Sequence, residues 1–236
     1  MHTYKRTIIS GNVLEVEYYQ SIRKRNKKNV TRGSRRGLSS EKQSLANKYN
    51  GIKRTQRMIL NNFKPGDWWV KFGFKDDVDE EQAKRLISNF LKRYARYLKK
   101  QGKEFKYIGC AETGSENGGW HLHLVIEKSD LDDLKKIWGY GGVWVTPLYQ
   151  EGYYYDLAKY VRKNVGGKKR LMQSRNLTAP FEDVKEIGKR ELRRLEKGLM
   201  IKIPEGYRLI EDDFSLNEFT DARYTFTFIK SNRNKN

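Results

Sequence analysis

What most constrains the fold of this chain is how its hydrophobic period changes between Trp68 and Asn164. Trp68-Trp69-Val70-Lys71-Phe72-Gly73-Phe74 has a strand's composition and follows the turn residues Lys64-Pro65-Gly66-Asp67. From Asp79 to Lys100 the apolar residues Ala83, Leu86, Ile87, Phe90, Leu91, Tyr94 and Leu98 recur at helical spacing. Asp79, Glu80 and Glu81 stand at the positive end of that helix dipole. Phe105 to Glu112 reads as a second strand. Thr113 to Gly119 is hairpin material, and Trp120 to Glu127 is a third strand. Ser129 is placed to cap a helix from Asp130 to Trp138. Gly142 to Leu148 is a fourth strand, and a helix from Tyr153 to Asn164 ends near Gly166-Gly167. The fold class is therefore α+β. The order β-α-β-β-α-β predicts a ferredoxin-like antiparallel sheet with two helices on one face, followed by one more helix. Such sheets leave the other face open, and nucleic-acid proteins often use it.

The flanks differ from this core. The chain has 236 residues with 49 Lys and Arg against 29 Asp and Glu, a net charge of +20. Residues 1–60 hold 15 Lys and Arg against three Glu, so +12 of that excess precedes the core. Such a charge calls for a polyanion, nucleic acid before a membrane surface. Thr7 to Tyr19 reads as a short strand pair, and Arg23 to Arg36, with eight basic residues in fourteen, as a basic arm. Phe181 to Leu199 has a helical pattern (Val184, Ile187, Leu192, Leu195), and Tyr207–Ile210 and Arg223–Ile229 alternate like strands. The organisation expected is a basic extension over 1–62, a core over 63–167 and an α+β extension over 168–236. No apolar run is long enough to span a membrane, and no secretory leader is recognisable. One cysteine, Cys110, excludes an internal disulfide and a Cys-based zinc site. The expected place is the cytoplasm.

Two of the three histidines, His121 and His123, stand at i and i+2 in the strand Trp120-His121-Leu122-His123-Leu124-Val125-Ile126. Their imidazoles then project from one face, side by side, as one metal ion requires, while Leu122 and Leu124 point to the other. Glu112 ends the preceding strand. Pairing through the glycine-rich turn brings it near His121, and a carboxylate added to two imidazoles gives an open site for Mg²⁺ or Mn²⁺. Glu116, in the turn itself, is the weaker candidate. Farther on, Tyr160 and Lys163 are helical neighbours at i and i+3, and Asp156 lies four before Tyr160. A phenol beside a lysine and a metal can attack a phosphodiester.

These residues carry a resemblance. His-Leu-His on a strand, followed by Tyr-x-x-Lys on a helix beyond the next strand, resembles the HUH endonucleases. Within them the chain is most similar to rolling-circle replication initiators, the Rep proteins of phages and plasmids. Gly119-Trp120-His121-Leu122-His123, Ala158-Lys159-Tyr160-Val161-Arg162-Lys163 and Gly66-Asp67-Trp68-Trp69-Val70-Lys71-Phe72-Gly73-Phe74 resemble phage replication proteins related to the filamentous-phage gene II protein. The likeness runs from about Asp67 to Lys163. It implies nicking of one DNA strand at an origin, a covalent bond to the 5′ phosphate and a free 3′ hydroxyl for a host polymerase. It implies that His121, His123 and Glu112 hold the metal, that Tyr160 is the nucleophile and that Lys163 positions the phosphate. Two-tyrosine initiators space their nucleophiles four apart, but here that position is Asp156. Tyr155 lies about 140° around the helix, and Tyr153 roughly 10 Å along its axis. This departure from the two-tyrosine spacing reads as a single-tyrosine enzyme.

The partner expected is single-stranded DNA or an origin hairpin. Arg23, Lys24, Arg25, Arg35, Arg36, Lys168, Lys169 and Arg170 would neutralise phosphates, and Trp68, Trp69 and Trp144 are placed to stack on bases or pack the core. Because side chains alternate, Trp68 and Trp69 serve opposite faces. Asp156 or a metal-bound water is the candidate acceptor for the Tyr160 proton. No P-loop pattern is present, so unwinding would fall to a host helicase. A single-tyrosine transposase, a relaxase and a non-catalytic nucleic-acid-binding module are the competing readings.

Overall fold

The computed structural model describes residues 2–21, 41–113, 119–149, 153–163, 171–197, 201–217 and 221–231. In chain order the elements are β1 (His2–Ser10), β2 (Val13–Ser21), α1 (Glu41–Asn62), β3 (Trp68–Gly73), α2 (Glu80–Lys100), β4 (Tyr107–Thr113), β5 (Trp120–Ile126), α3 (Leu131–Trp138), β6 (Val143–Pro147), α4 (Tyr155–Val161), β7 (Leu171–Gln173), β8 (Phe181–Ile187), α5 (Lys189–Glu196), β9 (Tyr207–Asn217) and β10 (Asp221–Lys230). The protein is α+β, with two five-stranded antiparallel sheets. It divides into two compact units, residues 42–179 and residues 1–41 with 180–236.

In the unit 42–179 the strand order is β6-β3-β5-β4-β7. Alternation along β5 sends Trp120, Leu122, Leu124 and Ile126 to one face, where they meet α2 and α3. Phe72, Phe90 and Trp138 make the centre of this core, with ring centroids 4.9–5.1 Å apart. Truncating a buried ring of this kind costs about 3–5 kcal/mol. Helix α2 begins in a capping box, in which Asp79 accepts from the Gln82 backbone N–H and Gln82 accepts in turn from the Asp79 N–H. Helix α3 is capped by Asp130 rather than by Ser129, the residue expected. The Ser129 hydroxyl is taken up by the Tyr94 hydroxyl at 2.5 Å.

The second face of this sheet is not open along its length. Ile52 and Ile59 of α1, Phe63, and Ala158 and Val161 of α4 pack on Ile108 and Val125. A 22-residue helix thus lies in a region that composition marks only as basic. Its apolar residues are few, and tertiary packing rather than local pattern holds it.

The start of β3 is fixed by one buried carboxylate. Asp67 Oδ2 accepts from the Lys64 backbone N–H at 2.8 Å and Oδ1 from that of Lys128 at 3.1 Å. Its own carbonyl accepts from the Leu148 N–H at 2.6 Å. The ends of three neighbouring strands are therefore held by this residue. Gly66, with φ at 89°, makes the turn that delivers it.

In the other unit the order is β8-β1-β2-β10-β9. Segments at the two ends of the chain, expected as separate extensions, pair here in one sheet. Phe181 to Ile187, predicted helical, is a strand, and the helix begins only after Gly188. Its pairing with β1, from Thr3↔Ile187 to Ile9↔Phe181, overrides the local pattern. Glu17, almost fully buried, accepts from Arg223 at 2.8 Å and from Arg6 at 3.3 Å.

Asp67→Ala leaves two backbone N–H groups without acceptors at a buried position. A stability loss of about 2–4 kcal/mol is expected from the two groups in urea unfolding, with Asp67→Asn milder. No loss in the alanine variant would refute the knot.

Candidate active site

The site lies on the face of the unit 42–179 sheet that carries the odd residues of β5. His121 and His123 project there with Val125, as alternation requires. Their ring centroids are 6.3 Å apart. The β4–β5 register sets Glu112 directly opposite His121 and Cys110 opposite His123. Glu112 Oε1 stands 3.4 Å from His123 Nε2. From β3, Trp69 stacks on the His123 ring, with centroids 5.4 Å apart and planes 22° apart. Lys71 follows two residues on, facing the same way.

Helix α4 brings the phenol. Its first turn is entered through Tyr154, which takes the left-handed conformation (φ 51°), rare for a residue with a side chain. Tyr154 packs in the apolar cluster beneath α1, and Gln56 of α1 bonds to the Tyr153 carbonyl at 2.5 Å. At the other end Arg162 lies across Gly51 of α1 and reaches Thr55 Oγ1 at 3.4 Å. With α4 held at both ends, Tyr160 donates its hydroxyl to Glu112 and stands 3.3 Å from His123 Nε2. Its ring meets Trp69 edge-on at 5.8 Å.

Of the residues expected at the site, His121, His123, Glu112 and Tyr160 converge. Asp156 is exposed, and the carboxylate bonded to the phenol is Glu112 instead. Lys163 lies just past the end of α4 and is exposed. Its backbone N–H bonds to the Tyr160 carbonyl at 2.9 Å, which keeps the two residues within one turn. Tyr155 belongs to the packing under α1, with Lys53 5.8 Å from its ring. Arg23, Lys24, Arg25, Arg35, Arg36, Lys168, Lys169, Arg170 and Glu116 lie outside the described residues. Lys71 went unnoticed in the sequence. The signal for it is alternation from Trp69 once β3 is paired with β5.

Electrostatics favours neutral imidazoles. Burial, aided by Lys71, lowers the His121 pKa against the pull of Glu112. Burial lowers that of His123 to about 4, with Glu112 opposing and His121 and Lys71 adding to the fall. Tyr160 is pushed up by burial and by the bond to Glu112, so the phenol keeps its proton at neutral pH.

Among the described residues no three His, Cys, Asp or Glu side chains stand in ion-binding geometry; Glu112 is turned to Tyr160 and His123. The donor chemistry nonetheless fits a divalent ion. Two imidazoles are neutral, a carboxylate is beside them, and the buried Nδ1 of His123 has no hydrogen-bond partner.

Residues 67–165 match the family model for replication-associated proteins of the ORF2 and gene II protein type. This is a family of rolling-circle replication initiators. The match begins at the Asp67 knot, ends just past α4 and takes in every converging residue; it covers rather less than half of the chain. Neither a curated protein nor a solved structure matches. Among the described residues no helix is long and apolar enough to cross a membrane.

Cys110 shares this face but not this chemistry. It is 4% exposed, and burial, with Glu112 adding to it, pushes its pKa up to about 12. At pH 8.5 less than about one thiol in a thousand is then ionised, so iodoacetamide should leave the folded protein unlabelled and label it fully in denaturant. Rapid labelling of the folded protein would contradict this burial.

Proposed function

We propose that the protein is a rolling-circle replication initiator of the HUH type. It nicks and rejoins single-stranded DNA at an origin through a 5′-phosphotyrosine, with Tyr160 as its one nucleophile. The observation that carries this reading is the Tyr160 hydroxyl, set between Glu112 and His123 on the face that presents both histidines. The order β6-β3-β5-β4, fourth-first-third-second in the β-α-β-β-α-β run, supports a ferredoxin-like core.

His121, His123 and Glu112 would hold a divalent ion, Mg²⁺ or Mn²⁺, which when bound polarises a non-bridging phosphate oxygen and offsets charge developing in the transition state. The remaining chemistry belongs to the chain. Tyr160 Oη attacks phosphorus in line, and the Oη–P bond forms as the P–O3′ bond breaks. The phenol proton passes to Glu112, its hydrogen-bond acceptor, in place of Asp156. The departing 3′ oxygen takes a proton from water. Lys163, one turn from Tyr160, counters charge on the phosphate. Rejoining runs the step in reverse. A buried phenol with a raised pKa needs this acceptor, because little phenolate forms without one.

The basic residues Arg23, Lys24, Arg25, Arg35, Arg36, Lys168, Lys169 and Arg170 serve as sequence-independent phosphate grip. The 3′ hydroxyl primes a host polymerase, a host helicase unwinds ahead of it, and the work takes place in the bacterial cytoplasm.

The test uses labelled single-stranded oligonucleotides tiling the replicon that encodes the protein, with Mn²⁺, read as a protein–DNA adduct on a denaturing gel. Tyr160→Phe should form no adduct and keep its DNA affinity within about twofold, since only the phenolic oxygen is lost. His121→Ala should lower the adduct rate by about 100-fold or more, the scale of losing several kcal/mol of charge stabilisation. An adduct from Tyr160→Phe, or undiminished activity in chelator, would refute the respective assignment.

A further inference from the structure

We propose that Trp144, with Lys71 beside it, is a landing platform for one unpaired nucleobase adjoining the phosphate that Tyr160 attacks. The proposal rests on the nicking reading above and adds a cause for single-strand selectivity.

The three tryptophans on strands β3 and β6 have separate fates. Trp68 is buried against the α2 and α3 layer. Trp69 is taken up by His123. Trp144 is 58% exposed, on the face that carries the histidines. Its ring lies on bare backbone. A Cβ built on Gly142 would come within 2.3 Å of the ring, and one built on Gly73 within 3.0 Å. The six-membered ring of the indole thus lies close against two glycines while much of the side chain stays open to solvent. Among the described residues β6 is the edge strand on its side of this sheet.

The platform is aligned with the catalytic groups. Lys71 pairs with Trp144 on one side and His123 on the other, and Gly73 pairs with His121. Lys71 Nζ lies over the Trp144 ring, 5.6 Å from its centre, so a base stacking on the indole displaces the ammonium toward the adjoining phosphate. The Cβ position of Gly73 that meets the indole is also 3.8 Å from His121 Cδ2. Across the sheet run a solvent-exposed indole, the cation that lies over it and an imidazole, with about 10 Å between the outer two backbones at ~4.8 Å per strand. A nucleotide offers the complementary series, a flat base on one side of a phosphate. Bases in a duplex are already stacked and paired, so only an unpaired base has a face to give. Trp144 is accordingly a positioning residue. It sets where along the strand the reactive phosphate falls.

The whole protein is tested with single-stranded oligonucleotides in which 2-aminopurine is stepped through the positions beside the cut. Without divalent ion, its fluorescence should be quenched at one position and not when the same strand is in a duplex. Trp144→Ala and Trp144→Leu should abolish that quenching and raise KM for adduct formation by about tenfold, with kcat within about twofold; Trp144→Phe should retain part of both. Leucine still covers the glycines, so it separates stacking from support of the fold. Unchanged quenching and KM in Trp144→Leu would overturn the platform and leave the nicking reading intact. Absence of any adduct from the wild-type protein would overturn the nicking reading, while position-specific, Trp144-dependent quenching would still support the platform.

Discussion

The alternation of side chains along β5 is the constraint on which the rest of the structure depends. Leu122, Leu124 and Ile126 must be buried against α2 and α3, so His121, His123 and Val125 have to face the other way. A slip of one residue would put both imidazoles into the apolar core and the leucines at the site. Burial of one face of the strand therefore enforces the chemistry of the other. The same alternation on β3 separates Trp68 from Trp69 and places Lys71 in line with His123. On β4 it sets Glu112 opposite His121.

Tyr160 depends on a different kind of support. Helix α4 has seven residues, too few to be stable alone. It is held by α1, through Gln56 at its start and Arg162 across Gly51 at its end. A glycine within a long helix costs about 1 kcal/mol against alanine, and here its bare surface admits a guanidinium. The phenol so positioned bonds to a carboxylate that lies far from it in sequence. Phenol, carboxylate and imidazoles thus come from three separate elements that meet only in the folded sheet.

Much of this is legible in the sequence, and the exceptions have physical reasons. Composition and bounding turns mark β3 and β5, helical spacing marks α2 and a cap marks the start of α3, and each of these elements buries one face in the same core. His121, His123 and Glu112 are found by alternation and hairpin register alone. Asp156 is the carboxylate that helical spacing offers to Tyr160, yet Glu112 is the one that the fold brings to it. Spacing along a helix is silent about what lies across the space before it. Helix α1 escapes notice because its apolar residues are sparse and its charge is high. Phe181 to Ile187 reads as helix because the apolar spacing from Val184 onward is ambiguous, and β1, at the far end of the chain, decides the outcome.

The pairing of β1 and β2 with β8 and β10 also fixes an order of events during synthesis. Residues 42–179 form a compact unit enclosed in sequence by the two parts of the other. The β1–β2 hairpin is made before that unit, and its neighbours in the sheet only after the whole of it. At about 5–20 residues per second the hairpin waits roughly 10–30 s with both edges unpaired. Unpaired edges are templates for adventitious strands. Glu15, Glu17, Arg6 and Lys5 place charges along those two strands, the usual guard on an edge kept waiting. The unit that carries the two histidines and Tyr160 contains all of its own strands and can close without the wait, before the other sheet is complete.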